Sequence, residues 1–417
     1  MPEKSFAIKK TVYWRKEKDS FLFLHPQTRK LIIIGGIDGQ GISSNGVIEA
    51  SKKNSLLVKI LKKNGVIEPA NAADFKIDHF LCARAMAPLN VTIQITNCCN
   101  LNCIHCHNDK TRNKITLDFE TIKDLVGQLA EMRAFNINLS GGEPTLVPGI
   151  EKIVKCVSDA GLNCTMSTNA TLMTDELALK LAAAGLRQVN ISLDSFEARS
   201  HNAIRGTENA FQLMRDHLGF FKKQDIGYTF VTTLFRQTLD DYSKTIDLAY
   251  ELGAQSHKTN TVIPQGRAKL RDLGVLENIA GYIKIWENKR RDLKGKMNLL
   301  LETMCMIQAG LDYISPEGVP KIIDCGCPAG ILTCGINEKG DVQPCSFFTE
   351  FSAGNIYKDS FNNIWNGTAM QKIRDRENFD VCGKCDFKKR CGGCRARSYG
   401  MYGVLGKNDP ACFLLNK

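Results

Sequence analysis

Between residues 91 and 264 the chain alternates short β-branched or apolar runs with longer segments of helical periodicity. No other feature limits its fold so tightly. The strand-like runs are VTIQIT (91–96), NINLS (136–140), NCTMST (163–168), QVNISLD (188–194), YTFVTTL (228–234) and HKTNTVIP (257–264). Helical segments fall between them at 118–132, 148–160, 174–185, 208–223 and 238–252. Parallel strands need a long crossover, usually a helix, so repeated βα units predict an α/β fold with a parallel sheet covered by helices. Six units can form a full or partial (β/α)6 barrel of the TIM type, in which functional loops follow the C-terminal ends of the strands.

Two regions depart from this pattern. Near the N-terminus, SFLFL (20–24) and LIII (31–34) flank the turn-rich HPQTRK, a hairpin signal. VIEASKKNSLLVKILKKNG (47–65) places Leu56, Leu57, Ile60 and Leu61 on one side of a helix that Gly65 would stop. Strands followed by a helix predict a small α+β module over residues 1–75, with EPANAADF (68–75) as its linker. The barrel is expected over 88–300. Residues 301–417, rich in Cys and Gly with little long periodicity, are expected to form a third domain.

The chain has no apolar run of the ~18 residues that would span a membrane. Its start, MPEKSFAIKK, lacks the apolar run and small-residue cleavage site of a secretory signal, which predicts a cytoplasmic protein. In that compartment thiols stay reduced, so seventeen cysteines point to metal ligation rather than disulfides. The formal charge is +11, and residues 1–85 supply +7 of it, with fifteen Lys/Arg against eight Asp/Glu. Such a surface can simply be solvated, or it can attract an acidic partner. With no zinc-finger histidine spacing and no aromatic RNA-binding signature, an acidic peptide or protein suits it better than nucleic acid.

The densest cysteines lie in ITNCCNLNCIHCHNDK (95–110), directly after the first barrel strand. Cys99, Cys103 and Cys106 have the spacing C-x3-C-x2-C, with Cys98 out of register as a bystander. A 4Fe–4S cluster normally takes four thiolates. Three leave one iron open to a substrate or cofactor.

This stretch resembles the radical S-adenosylmethionine (SAM) enzymes. The resemblance implies that the open iron chelates SAM, and that SAM is cleaved to methionine and a 5′-deoxyadenosyl radical that abstracts hydrogen from substrate. Ser140-Gly141-Gly142-Glu143-Pro144, after the second strand, is similar to the family's GGEP segment. The resemblance implies that Gly141, Gly142 and Glu143 hold the SAM amino group. Ser167, Thr168 and Asn169 end the third strand like the family's S-T-N-G segment, with Ala170 in place of Gly. Ser192 and Asp194 end the fourth. Arg205, in HNAIRG, would approach the SAM carboxylate, the alternative being a structural ion pair. His105 stands where the family usually has an aromatic ring near adenine.

Eight later cysteines form a second pattern. Cys327-x6-Cys334-x10-Cys345 is followed by Cys382-x2-Cys385-x5-Cys391-x2-Cys394 and then Cys412. In isolation C-x2-C-x5-C-x2-C reads equally as a zinc site. Behind the first motif it resembles the SPASM extension, which implies two auxiliary 4Fe–4S clusters and three clusters in all. The implied ligands are Cys327, Cys334, Cys345 and Cys394 for one, and Cys382, Cys385, Cys391 and Cys412 for the other. The family more often has three residues between the last two cysteines of the second group; here Gly392-Gly393 gives two. Cys156 and Cys164 read as core thiols. Cys82, Cys305 and Cys325 stay unassigned, and Cys305 or Cys325 could donate a hydrogen atom.

SPASM enzymes mostly act on peptides or proteins. The N-terminal module resembles the winged-helix domains that bind an acidic leader peptide by adding it as a strand. The expectation is a maturase that abstracts hydrogen from a ribosomally made precursor, served by a reductant such as flavodoxin or ferredoxin. Its product would be a thioether or carbon–carbon cross-link. The alternatives are a peptide epimerase, a small-molecule enzyme acting on a tetrapyrrole, and a multi-cluster electron carrier without catalysis.

Overall fold

The computed structural model describes residues 87–108, 114–235, 239–270, 273, 279–301, 327–388 and 391–412, together with six strands, Leu61 and Lys63 in the first 86 residues. The chain forms two compact units, the second beginning at Pro88. In the first, β1 (Ser5–Ile8), β2 (Tyr13–Glu17), β3 (Ser20–His25), β4 (Lys30–Gly35), β5 (Val47–Glu49) and β6 (Ile67–Pro69) make two three-stranded sheets, ordered β2-β3-β4 and β5-β1-β6. The expected hairpin is β3 with β4, antiparallel from Ser20↔Gly35 to His25↔Lys30. Val47–Glu49, expected to begin a helix, is a strand that pairs with β1. Its two β-branched residues, Val47 and Ile48, favour extended backbone. The expected linker likewise begins inside β6. Leu61 and Lys63 are helical, Leu61 buried and Lys63 exposed. Leu56, Leu57, Ile60 and residues 70–75 lie outside the described residues.

In the second unit β7 (Asn90–Thr96), β8 (Asn136–Gly141), β9 (Asn163–Thr168), β10 (Gln188–Ser192), β11 (Gly227–Leu234) and β12 (Ser256–Thr261) are parallel neighbours in chain order. These are the six strands expected from the sequence, and they form the partial barrel. Helices Phe119–Glu131, Ile150–Asp159, Asp175–Ala183, Ala210–Lys223 and Leu239–Glu251 occupy the expected crossovers. Asp118 and Thr174 cap two of them, each accepting the backbone N–H three residues on, at 2.9 and 3.1 Å. Val91, Ile93 and Ile95 on alternate positions of β7 pack with Ile122, Leu125 and Leu129 of the first crossover helix, all but excluded from water. Each such side chain contributes about 1.5–3 kcal/mol by burial. Cys164 sits in this core and Cys156 packs against it, as their core reading requires.

Further elements extend this framework. The helix Ala198–Arg205 follows β10. The helix Ile279–Asp292 and β13 (Asn298–Leu301) add a further parallel strand beside β12. From the Cys-rich region, β14 (Thr333–Ile336) pairs parallel with β7, and β15 (Asp341–Gln343) and β16 (Gly354–Asn355) continue the sheet antiparallel. The ten strands run β13-β12-β11-β10-β9-β8-β7-β14-β15-β16, so the region carrying the later cysteines is built onto the edge of the first barrel strand.

Candidate active site

The loop after β7 carries Cys99, Cys103 and Cys106 at the C-terminal end of the sheet. The three pack around Leu101 and Ala210. Gly141 and Gly142, at the end of β8, lie flat against the start of this loop. Gly142 N donates to Thr96 O at 2.7 Å and Glu143 N to Cys98 O at 2.8 Å. A Cβ on Gly142 would overlap the Cys98 carbonyl, which explains why a residue without a side chain stands there.

Glu143 is buried, and its carboxylate faces the end of β9. Its Oε1 accepts from Thr145 N, Thr145 Oγ1 and Thr168 Oγ1 at 3.1, 2.7 and 2.7 Å, and its Oε2 from Asn169 N at 2.8 Å. Burial pushes its pKa up against the pull of these donors. Asn169 Nδ2 donates to Asn100 Oδ1 in the cysteine loop at 3.0 Å. The segments after β7, β8 and β9 are thus one hydrogen-bonded assembly. Ala170, where the resembling motif has Gly, adopts the left-handed conformation at φ 62°.

Asp194 and Arg205 form a buried ion pair, Arg205 Nη2 to Asp194 Oδ2 at 2.6 Å. Burial alone would raise the Asp194 carboxyl, but Arg205, His105 and His201 outweigh it and hold it below the usual range. Arg205 Nη1 points at Cys103 Sγ, 3.7 Å away, and the helix end is tied to the cysteine loop by Asn102 N→Arg205 O at 3.1 Å. His105 stacks on Phe235 with centroids 5.4 Å apart, its Nε2 4.0 Å from Asp194. Burial lowers its pKa to about 4, so the ring is neutral near pH 7. Ser192 ends β10 and, among the described residues, takes part in none of these contacts.

Beneath this rim the barrel interior is polar. Asn138 Oδ1 accepts from Thr165, Ser167 and Asn190 at 3.2, 3.1 and 3.2 Å, and Asn136 bonds Asn90, Asn163 and Thr165. Hydrophobic periodicity alone does not reveal this network. Its signal is asparagine, depleted in ordinary strands, at alternate positions of NINLS and again in QVNIS. Arg267, after β12, carries no sequence motif. Its Nη1 donates to Asn102, its backbone N to Cys106 O at 2.9 Å, and its buried Nε and Nη2 have no partner among the described residues.

The later cysteines gather in the Cys-rich region. Cys327 and Cys394 are buried together, with Cys345 and Cys391 against them. The buried Cys334 thiol is raised by burial and by neighbouring Cys345. Burial pushes Cys391 up to about 11. The Gly393 N–H opposes that rise, while Asp409, Cys382 and Cys412 add to it. Gly392 and Gly393 turn the chain between Cys391 and Cys394 with successive φ of 66° and 63°, a left-handed pair that side chains disfavour. Cys82, Cys305 and Cys325 lie outside the described residues. Grouped thiols with backbone and guanidinium N–H donors aimed at sulfur fit an iron–sulfur group that would deprotonate them on binding. Among the described residues, no three His, Cys, Asp or Glu side chains converge on a single metal ion.

The Radical SAM superfamily matches residues 93–249, and the SPASM iron–sulfur cluster-binding domain matches residues 327–386. The AdoMet-dependent heme synthase of Methanosarcina barkeri is 30% identical over 349 residues, covering 80% of this chain and 98% of that relative. The mycofactocin maturase MftC of Mycobacterium tuberculosis is 29% identical over 338 residues, covering 78% and 83%. Among solved structures, SuiB of Streptococcus suis bound to its precursor peptide SuiA has a TM-score of 0.74 at 15% identity, covering 98% of this chain and 99% of that one.

Proposed function

Since the chain belongs to the radical SAM superfamily of enzymes and carries a SPASM domain, we propose that it is a peptide maturase that abstracts hydrogen from a ribosomally made precursor. The observation that carries this reading is extent. The fold likeness to a precursor-bound enzyme runs over 98% of this chain and 99% of that one. A basic N-terminal module built on two three-stranded sheets would bind an acidic leader by strand addition.

Cys99, Cys103 and Cys106 would hold a 4Fe–4S cluster, which with SAM would supply the chemistry of hydrogen abstraction. The chain's own residues orient and shield. Gly141 and Gly142 bring backbone groups against the cysteine loop. Glu143 fixes the ends of β8 and β9 relative to that loop. Arg205 directs an N–H at Cys103 while Asp194 balances its charge. Ser167, Asn169 and His105 line the approach to these groups. Cys327, Cys334, Cys345 and Cys394, and Cys382, Cys385, Cys391 and Cys412, would hold two further 4Fe–4S clusters, which would supply electron-accepting capacity. That favours oxidation to a thioether or carbon–carbon cross-link over epimerisation, and a flavodoxin or ferredoxin would feed the first cluster.

One observation favours a second reading, a small-molecule enzyme acting on a tetrapyrrole: the similarity to the heme synthase, which spans 98% of that relative. Removal of residues 1–68 separates the two. A maturase loses precursor affinity and keeps substrate-free SAM cleavage, and its leader binding weakens with salt. Unchanged precursor affinity after truncation would favour the small molecule. No helix among the described residues is long and apolar enough to cross a membrane.

A further inference from the structure

Arg395 is buried, 4% exposed, at the start of the helix Arg395–Tyr402. A guanidinium cannot shed its proton, so the charge must be balanced where it stands. Its bonds are few. Nε donates to Gly393 O at 3.4 Å, Nη1 to Lys407 O at 3.1 Å, and Nη2 to Cys382 Sγ at 3.4 Å, and the group lies 4.4 Å from the centre of the Phe379 ring. Among the described residues no carboxylate pairs with it. Asp409, which like Arg395 lies against Gly393, is taken up by Arg397, whose Nε and Nη2 donate to Oδ1 and Oδ2 at 2.7 and 2.8 Å. Asp409 further accepts from Cys394 N and Ala411 N at 2.7 and 3.0 Å. Among the described residues the one buried carboxylate here thus pairs with Arg397 and not with Arg395, and the guanidinium of Arg395 meets a cysteine sulfur.

We propose that Arg395 is the counter-charge of the iron–sulfur cluster held by Cys382, and that it sets that cluster's reduction potential. Hydrogen bonds to sulfur and nearby charge are the means by which a protein tunes such a cluster. One-electron reduction adds a negative charge to the cluster, and a fixed guanidinium in a dry setting favours the reduced form. The SPASM cluster nearest Arg395 is thereby made the better electron acceptor. Phe379 and the Lys407 carbonyl hold the side chain in place. Arg395 is a positioning residue, since it acts through Cys382. The inference rests on the assignment of Cys382 as a cluster ligand.

The test uses the full chain, reconstituted with iron and sulfide under anaerobic conditions, with EPR-monitored redox titration of wild type, Arg395→Lys, Arg395→Gln and Arg395→Met. The expected result is that one cluster becomes at least tenfold harder to reduce in the Gln and Met variants, a fall of about 59 mV for one electron. The Lys variant should stay within about threefold of wild type, and the other cluster signals should not move. Loss of one cluster's iron in the Gln and Met variants with retention in the Lys variant would equally support a role for charge. Equal behaviour of all three variants overturns the proposal, whether their midpoints match wild type or all lose iron. Cys382→Ala separates the two assumptions. If it keeps wild-type iron content, the ligand assignment fails and the inference with it. If it loses iron while Arg395→Met leaves every midpoint unchanged, only the inference fails.

Discussion

Replacing Asp194 by Asn tests whether the Asp194–Arg205 pair organises the loop that carries Cys103. The amide is nearly the same size, and its oxygen can still accept the Thr233 N–H at 3.2 Å. What disappears is the negative charge 2.6 Å from Arg205 Nη2, in a place where the two side chains are 0% and 10% exposed. Water cannot replace the charge there, and removing one partner of a buried pair costs about 3–5 kcal/mol. Arg205 retains its approach to the Cys103 sulfur, so the lower end of that range, about 3 kcal/mol, is expected. The loss should reach the site, because Asn102 N and Ile104 N hang from the carbonyls of Arg205 and Ile204 at 3.1 and 3.0 Å. Urea unfolding of wild type, Asp194→Asn, Arg205→Met and the double variant gives the coupling, and equilibrium dialysis gives SAM affinity. The double variant should be destabilised by at least about 1.5 kcal/mol less than the sum of the single changes, because it leaves no buried charge alone. Additivity within about 0.5 kcal/mol, together with unchanged SAM affinity in Asp194→Asn, would refute the reasoning.

Four further outcomes are expected. Gly142→Ala places a methyl group on the Cys98 carbonyl and should weaken iron retention at Cys99, Cys103 and Cys106, read by iron analysis, while the C-terminal sites keep theirs. Wild type should hold about twelve iron, and changing those three cysteines together to Ala should remove about four and abolish SAM cleavage. Burial would raise Asp409, but Arg397 holds it at about 2 against an ordinary 3.8. Its contribution is therefore full above pH 4 and lost as pH falls through 2. That is about 2 kcal/mol, and Asp409→Asn should erase this acid dependence in unfolding of the metal-free chain. In a folded Cys382→Ala, Cys385→Ala variant, deuterium should still pass from labelled substrate into 5′-deoxyadenosine while oxidised product is lost; a product of unchanged mass with an inverted centre would identify an epimerase instead.

The strand order of the barrel was legible because its signal is local. Alternation along VTIQIT and helical spacing along 118–132 depend only on neighbours in the chain, and they located β7 and the helix Phe119–Glu131 to within a residue or two. The cysteine triplet and the GGEP segment were visible for the same reason, each being complete within ten residues. Local signals failed where a partner decides the outcome. Val47–Glu49 had helical spacing but is a strand, since β1 is there to pair with it. The strand Asn298–Leu301 had no distinct pattern of its own and is defined by its register on β12.

The functional pairings belong to tertiary structure. Arg205 and Cys103 are 102 positions apart, and whether Arg205 stands free or pairs with Asp194 depends on how the ends of β10 and the helix Ala198–Arg205 meet in space. The same is true of Asn138, Ser167 and Asn190, which meet only because the registers of β8, β9 and β10 bring one face of each strand inside the barrel. By itself the sequence determined which elements form and where the thiols cluster, because both are set by spacing along the chain. Which buried charge balances which, Asp194 with Arg205 and Asp409 with Arg397 rather than Arg395, was decided by the tertiary structure alone, because electrostatic energy follows distance in space and not position in sequence.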